Sequence, residues 1–248
     1  MVWEQWAYRS RWRWIHPGAK GLVTLAAFAS AFLASWPWYQ LLLALTMALA
    51  ATLGGGIPLR IYLRGLLPPL AFLLVGTATL AVSIQAGTGS WPLVVRLDPG
   101  QYPLAALVAS RSLACLSALL FLSGTTPLND LLVLLRRLKV PPVLLEIMSL
   151  GYRTIFIFAA AVHDMTLAQK ARLGYATVRA ARRSLGGLVA VLAAQIGARA
   201  GAMTMAASAR GGEGPLLFLE HDYPPCRRSF LAAGGAALVM VGAALFAP

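Results

Sequence analysis

The sequence predicts an all-α, polytopic membrane protein with about five transmembrane helices and a long cytoplasmic helical region. Three observations carry this. The 248 residues are 59% hydrophobic and only 12% charged, about half the charge of a soluble domain. Apolar runs of near-spanning length recur along the chain, a span needing about 20 mostly apolar residues. The basic residues are distributed unevenly between the segments joining those runs.

The spans fall at roughly 20–35, 38–53, 66–86, 103–123 and 229–247. The first is short, bounded by Lys20 and Trp36, so it tilts little or extends into the interface. "SWPWY" at 35–39 reads as its turn, with Trp36, Trp38 and Tyr39 at headgroup level. "GGGIPLRIYLRG" at 54–65 breaks the second span from the third, and "GTGSWPLVVRLDPGQYP" at 87–103 separates the third from the fourth. The N-terminal stretch interleaves Trp3, Trp6, Trp12 and Trp14 with Arg9, Arg11 and Arg13. Beside a membrane span this mixture indicates a segment lying in the interface.

Charge then orients the chain. Residues 124–228 hold 13 of the 21 Lys and Arg residues. Arg9, Arg11, Arg13 and Lys20 precede the first span, and Arg60 and Arg64 lie in the 54–65 break. The 87–103 segment holds only Arg96, offset by Asp98. The positive-inside rule therefore places the N-terminus, residues 54–65 and residues 124–228 in the cytoplasm. The division expected is 1–123 (N-terminal spans), 124–228 (cytoplasmic helices) and 229–248 (C-terminal span). This bias accounts for most of the +13 net charge, so no nucleic-acid partner is required. Residues 1–20 lack the central apolar run of a cleavable signal. Cys115 and Cys226 lie far apart in unlike contexts, against a disulfide framework or a metal cluster.

The 124–228 region has its own helical pattern. Leu128, Leu131, Leu132, Leu135 and Leu138 form an amphipathic stripe, with Thr126 as N-cap, Pro127 at the first position and Pro141-Pro142 as terminator. A proline-free run over 143–174 is helical for about 30 residues, or about 45 Å, and ends at Ala171-Arg172-Leu173-Gly174. A second long helix over about 184–210 ends at Ala209-Arg210-Gly211. Gly186, Ala190, Ala194, Ala198, Ala202 and Ala206 recur every four residues along it, a stripe that admits close approach of another helix. Arginine at a helix C-terminus also complements the helix dipole, for about 0.3–1 kcal/mol. Its repetition at two long helix ends favours paired docking tips.

In order along the chain, "HPGAKGL" (16–22), "TTPLNDLLVLLRRLKVPPVLLEIMSLGYRTIF" (125–156), "AQKARLG" (168–174) and "ASARGGEG" (207–214) resemble the motifs of the transmembrane T component of energy-coupling-factor transporters. The resemblance is strongest to the cobalt-type CbiQ branch. His16 stands where that family usually has Asp, and Leu173 where many members have Gly or Ser. The resemblance implies a scaffold in the cell's inner (cytoplasmic) membrane, without cofactor or catalytic residues. It joins two ATP-binding ABC ATPase subunits to a substrate-binding membrane subunit. Arg172 and Arg210 would contact the ATPases, with Ala171, Leu173, Ala209 and Gly211 as small or apolar flanks. Cobalt is the cargo implied, with nickel or a vitamin as alternatives.

Two other classes fit less well. A polytopic enzyme would place acids or histidines at membrane depth, whereas the four spans before residue 124 contain neither. Adjacent His163 and Asp164 point about 100° apart on a helix, poor geometry for a catalytic pair, and no Walker A sequence occurs. A self-contained permease would show a polar stripe or broken helices around a midplane site. Arg111, the one clear charge near the fourth span, is expected to snorkel to the outer interface.

Overall fold

The computed structural model describes residues 2–86, 93–97, 99–211 and 227–246. In chain order its elements are α1 (Val2–Arg9), α2 (Pro17–Leu33), α3 (Pro37–Leu49), α4 (Leu59–Ala81), β1 (Val82–Ala86), β2 (Leu93–Leu97), α5 (Tyr102–Thr125), α6 (Leu128–Arg137), α7 (Pro142–Ala171), α8 (Val178–Ala209) and α9 (Arg227–Phe246). They form two compact units, residues 1–134 with 221–248, and residues 135–220. The class is all-α, with one added two-stranded antiparallel ribbon that pairs Ile84 with Val95. Among the described residues, six helical stretches are long and apolar enough to cross a membrane: α3 with its extension to Gly54, α4, α5, α7, α8 and α9. The 17-residue α2 is shorter.

In the first unit, α5 packs against α1, α2, α3 and α4, while α9 packs on α2. The core is built from small side chains. Ala27, Ala31, Ala44, Ala51, Ala114 and Ala118 are buried together with Leu43, Met47, Ile57, Tyr62 and Phe121. Large apolar groups such as Leu25, Phe32, Leu67, Phe72, Leu231 and Leu238 are exposed. That inversion suits a lipid solvent. Hydrocarbon gives no hydrophobic drive to bury leucine, so close helix approach through small residues holds the bundle together.

Buried polar groups where α2, α3 and α5 meet are satisfied internally, as the bilayer demands. Gln40, fully buried, donates through Nε2 to the carbonyls of Ala31 (3.2 Å) and Ala34 (2.9 Å), and Ser110 donates to its Oε1. Arg111 reaches the C-terminal end of α2, beside the Trp36–Trp38 turn. Its Nε donates to Ala31 O at 3.1 Å and its guanidinium lies 5.4 Å from the centre of the Phe32 ring. The terminal carbonyls of α2 lack intrahelical donors, and this cation supplies one.

The N-terminal aromatic segment is more than an interfacial float. Ser10 Oγ donates to Gly55 O at 3.0 Å, and Trp12 meets Phe121 edge to face at 5.8 Å. Beyond Leu49, α3 continues as a π-helical turn, Ala50–Gly54. A Cβ at Gly54 would lie 2.2 Å from the Trp12 ring, so the glycine is what admits the indole. His16 is the N-cap of α2, accepting from Gly18 N at 3.0 Å through Nδ1 with Pro17 next.

Four boundaries depart from the sequence expectations. The third span starts at Leu59 rather than 66, and the chain leaves the helix at Ala81. Residues 82–86 pair as a strand, where V-S-I-Q alternation favours a ladder. Thr126 is not the N-cap of α6. It is the extended C-cap of α5, and its buried hydroxyl has no hydrogen-bond partner. Nor do the prolines stop α6, because it has already ended at Arg137, with Lys139 following in the left-handed region at φ +59°.

Candidate partner-docking site

The second unit carries the two arginine motifs. At the end of α7, Arg172 is the C-cap residue with φ −94° and ψ 17°, and Leu173 follows in the left-handed region at φ +58°. Leu173 N donates to Lys170 O at 3.0 Å and Gly174 N to Gln169 O at 2.8 Å. This pair of bonds is a Schellman motif, which absorbs the last carbonyls of the helix. At the end of α8, Arg210 is the C-cap with φ −98° and ψ 14°, and Gly211 follows at φ +66°. Gly211 N donates to Ser208 O at 3.1 Å.

The two ends therefore share one backbone shape, with arginine at the same place in it. The cap alone does not demand that arginine. α6 also ends in a left-handed residue, with Lys139 N donating to Arg136 O and Val140 N to Leu135 O, but Leu138 occupies the position before it. Ala171, Arg172, Leu173, Ala209, Arg210 and Gly211 are all exposed. Among the described residues, neither the Arg172 nor the Arg210 guanidinium has a hydrogen-bond or ion-pair partner. Among the described residues each is an unpaired planar donor at a helix tip, flanked by alanine on one side and Leu173 or Gly211 on the other. Such a fork suits carboxylates or backbone carbonyls of another protein.

Residues the sequence reading passed over hold the first tip in place. Gln169 Nε2 donates to Ser184 O at 2.9 Å, Ser184 Oγ to Gly174 O at 2.9 Å, and Tyr175 Oη to Gln169 Oε1 at 2.8 Å. A Cβ on Gly174 would sit 2.6 Å from Ser184 Oγ and 2.9 Å from Gln169 O, so only glycine fits this turn. Thr177 caps α8, accepting from Ala180 N at 3.2 Å. Thr177 ahead of a helical run is a recognisable start signal, and it places the helix start at Val178, ahead of the expected 184.

The tips are not side by side. The Arg172 end is tied to α8 near Ser184, whereas Arg210 lies 26 residues further along the same helix. At 1.5 Å per residue the separation along α8 is roughly 40 Å. The small-residue stripe also differs from expectation. Gly186, Ala190, Ala194, Ala198, Ala202 and Ala206 are exposed, and a Cβ at Gly186 would meet nothing within 4 Å. Within this chain the stripe is uncovered. The end of the second motif, from Gly212 onward, lies outside the described residues, as does His221. His163 and Asp164 are exposed on α7. Among the described residues no three His, Cys, Asp or Glu side chains gather in one place.

The CbiQ family model, described as cobalt transport protein, matches residues 9–219, a stretch that contains both arginine motifs. A cobalt transport protein CbiQ of Rhodobacter capsulatus is 37% identical over 86% of this chain and 85% of its own length. One of the same name from Salmonella typhimurium is 31% identical over 76% of this chain and 87% of its own. A longer protein of Methanocorpusculum labreanum, named as a fused cobalt transport protein CbiMQ, is 31% identical over 69% of this chain and 30% of its own length. With a match across most of its length and the motifs in order, the chain belongs to the CbiQ family of cobalt transport proteins.

Proposed function

We propose that this multi-pass membrane protein is the coupling subunit of an energy-coupling-factor importer for cobalt ions. It links ATP hydrolysis by two ATPase subunits to movement of a substrate-binding membrane subunit, and catalyses no reaction itself. The observation that carries the reading is the pair of exposed arginines, Arg172 and Arg210, without partners among the described residues, on helix ends of the same backbone shape. Each tip docks one ATPase, and a spacing of roughly 40 Å along α8 leaves room for one partner at each. Ala171, Leu173, Ala209 and Gly211 let the partner surface close over the guanidinium. The 135–220 unit lies in the cytoplasm with the N-terminus, and α7 and α8 act as levers rather than spans. The fused CbiMQ relative, in which a stretch like this chain occupies under a third of the length, supports a membrane partner working directly beside it.

Arg172→Glu and Arg210→Glu test this in the assembled transporter. Each is expected to leave insertion intact and weaken ATPase retention, since losing one member of a buried interfacial pair costs about 2–5 kcal/mol, mostly as faster dissociation. One ATPase remains in each single variant and almost none in the double. Arg199→Glu, on the same helix but away from the tip, serves as control. Normal ATPase recovery and ATP-driven uptake by the double variant would sink the docking assignment.

A further inference from the structure

The boundary between the two compact units falls between Leu134 and Leu135, inside the continuous helix α6 rather than in a linker. The first half of α6 is held to the membrane bundle at three places. Asn129 Nδ2 donates to Tyr8 Oη at 3.2 Å. Leu134 approaches α2 so closely that a Cβ on Gly21 would lie 3.4 Å from its Cδ2. Between them, Asp130 is turned inward and buried at 9% exposure. It acts electrostatically on the ammonium of Lys20, itself only 3% exposed.

Lys20 Nζ donates to Thr125 O, a terminal carbonyl of α5, at 2.8 Å. It makes no direct bond to Asp130, whose Oδ2 is buried without a partner, as is the neighbouring Thr126 hydroxyl. A buried carboxylate oxygen with no donor is costly and calls for a physical reason. The only buried lysine among the described residues stands next to it, with donors to spare beyond the one given to Thr125.

We infer that Lys20 is a positioning residue, a latch with two acceptors at the elbow between α5 and α6. In this structure it rests on the Thr125 carbonyl. When α6 turns toward α2, the ammonium pairs with Asp130 Oδ2 and satisfies the orphaned oxygen. Because Asp130 lies on α6, the latch governs how movement of that helix is passed to the spans. That last step rests on the coupling function proposed above, whereas the latch itself can be tested without any partner.

The test is amide hydrogen exchange at residues 128–134 in the full-length chain alone, reconstituted in lipid nanodiscs. Lys20→Met and Asp130→Asn should each speed exchange there by about ten- to hundred-fold, as an uncompensated buried charge loosens the helix. The double variant should be no faster than the faster single, because the two changes remove one interaction. Lys20→Arg, which keeps the cation, should restore protection. Multiplying effects in the double variant, or wild-type protection in Lys20→Met, would overturn the latch. If Lys20→Met fails to insert, the near-isosteric Asp130→Asn decides alone, and unchanged protection in it refutes the pairing. In the assembled transporter, Asp130→Asn should keep its ATPases yet import less per ATP hydrolysed. Intact exchange effects with normal import would retain the latch and refute its coupling role, while the fate of the arginine tips is read separately from ATPase retention.

Discussion

Leu173 adopts a conformation that L-residues avoid. Its φ of +58° brings Cβ against the backbone, a strain of roughly 1–2 kcal/mol, and its side chain is 74% exposed, so packing returns little of that cost. The equivalent residue at the second tip is Gly211, which is free of the strain. Leu173→Gly should therefore stabilise the tip by about 0.5–1 kcal/mol, after about 0.5–1 kcal/mol is given back to the greater freedom of glycine in the unfolded chain. Slower exchange of the Leu173 and Gly174 amides, without loss of ATPase docking, is the expected reading. Faster exchange would mean that the leucine side chain holds the cap through a contact absent here. The same scale explains His16. An imidazole nitrogen serves as an N-cap acceptor, so the departure from aspartate leaves the start of α2 intact.

Among the elements, α8 departs furthest from the sequence pattern. Its every-fourth small residues read as a helix-packing seam, yet they face outward along the chain. Ala194→Leu and Ala198→Leu should accordingly leave the thermal stability of the isolated chain within about 0.5 kcal/mol of wild type, as for surface changes generally. A clear drop in either would show that the seam is closed within this chain. α5 is the opposite case. Four helices surround it, and Ser110, Ala114, Ser117, Ala118 and Phe121 are buried along one face. Small residues there are filled space rather than open surface, and the same residue types on two helices thus have two meanings.

At the scale of the whole molecule, the orientation proposed above rests on charge. Basic residues crowd the 124–228 region and the N-terminal stretch, and translocating them would oppose the positive-inside bias. Single cysteines placed at Arg60, Arg137 and Arg182 in a background lacking Cys115 and Cys226 should be protected from an impermeant reagent in intact cells. One at Ser90 should react. Labelling of position 182 from outside would overturn this topology and remove the Arg172 tip from the reach of cytoplasmic ATPases. α7 and α8 are long and apolar enough to span, so position 182, close to the turn between them, is where the alternative topologies differ most.

Much of this protein is legible in its amino acids alone. Apolar runs separated by Trp, Gly and Pro located α2, α3, α5 and α9 to within a few residues, because lipid requires every spanning backbone to close its own hydrogen bonds. The paired Ala-Arg sequences marked both helix tips, since a left-handed cap ending a long helix leaves the preceding side chain exposed. Tertiary structure decided what depends on distant partners. That Arg111 would close the end of α2, that Trp12 would fit over Gly54, and that Gln169 would bind Ser184 are contacts between residues that periodicity cannot pair. The same holds for burial. Helical spacing tells which small residues share a face, but only the packed chain shows that those of α5 are covered and those of α8 are left open, because covering a face requires a second surface that the local sequence does not contain.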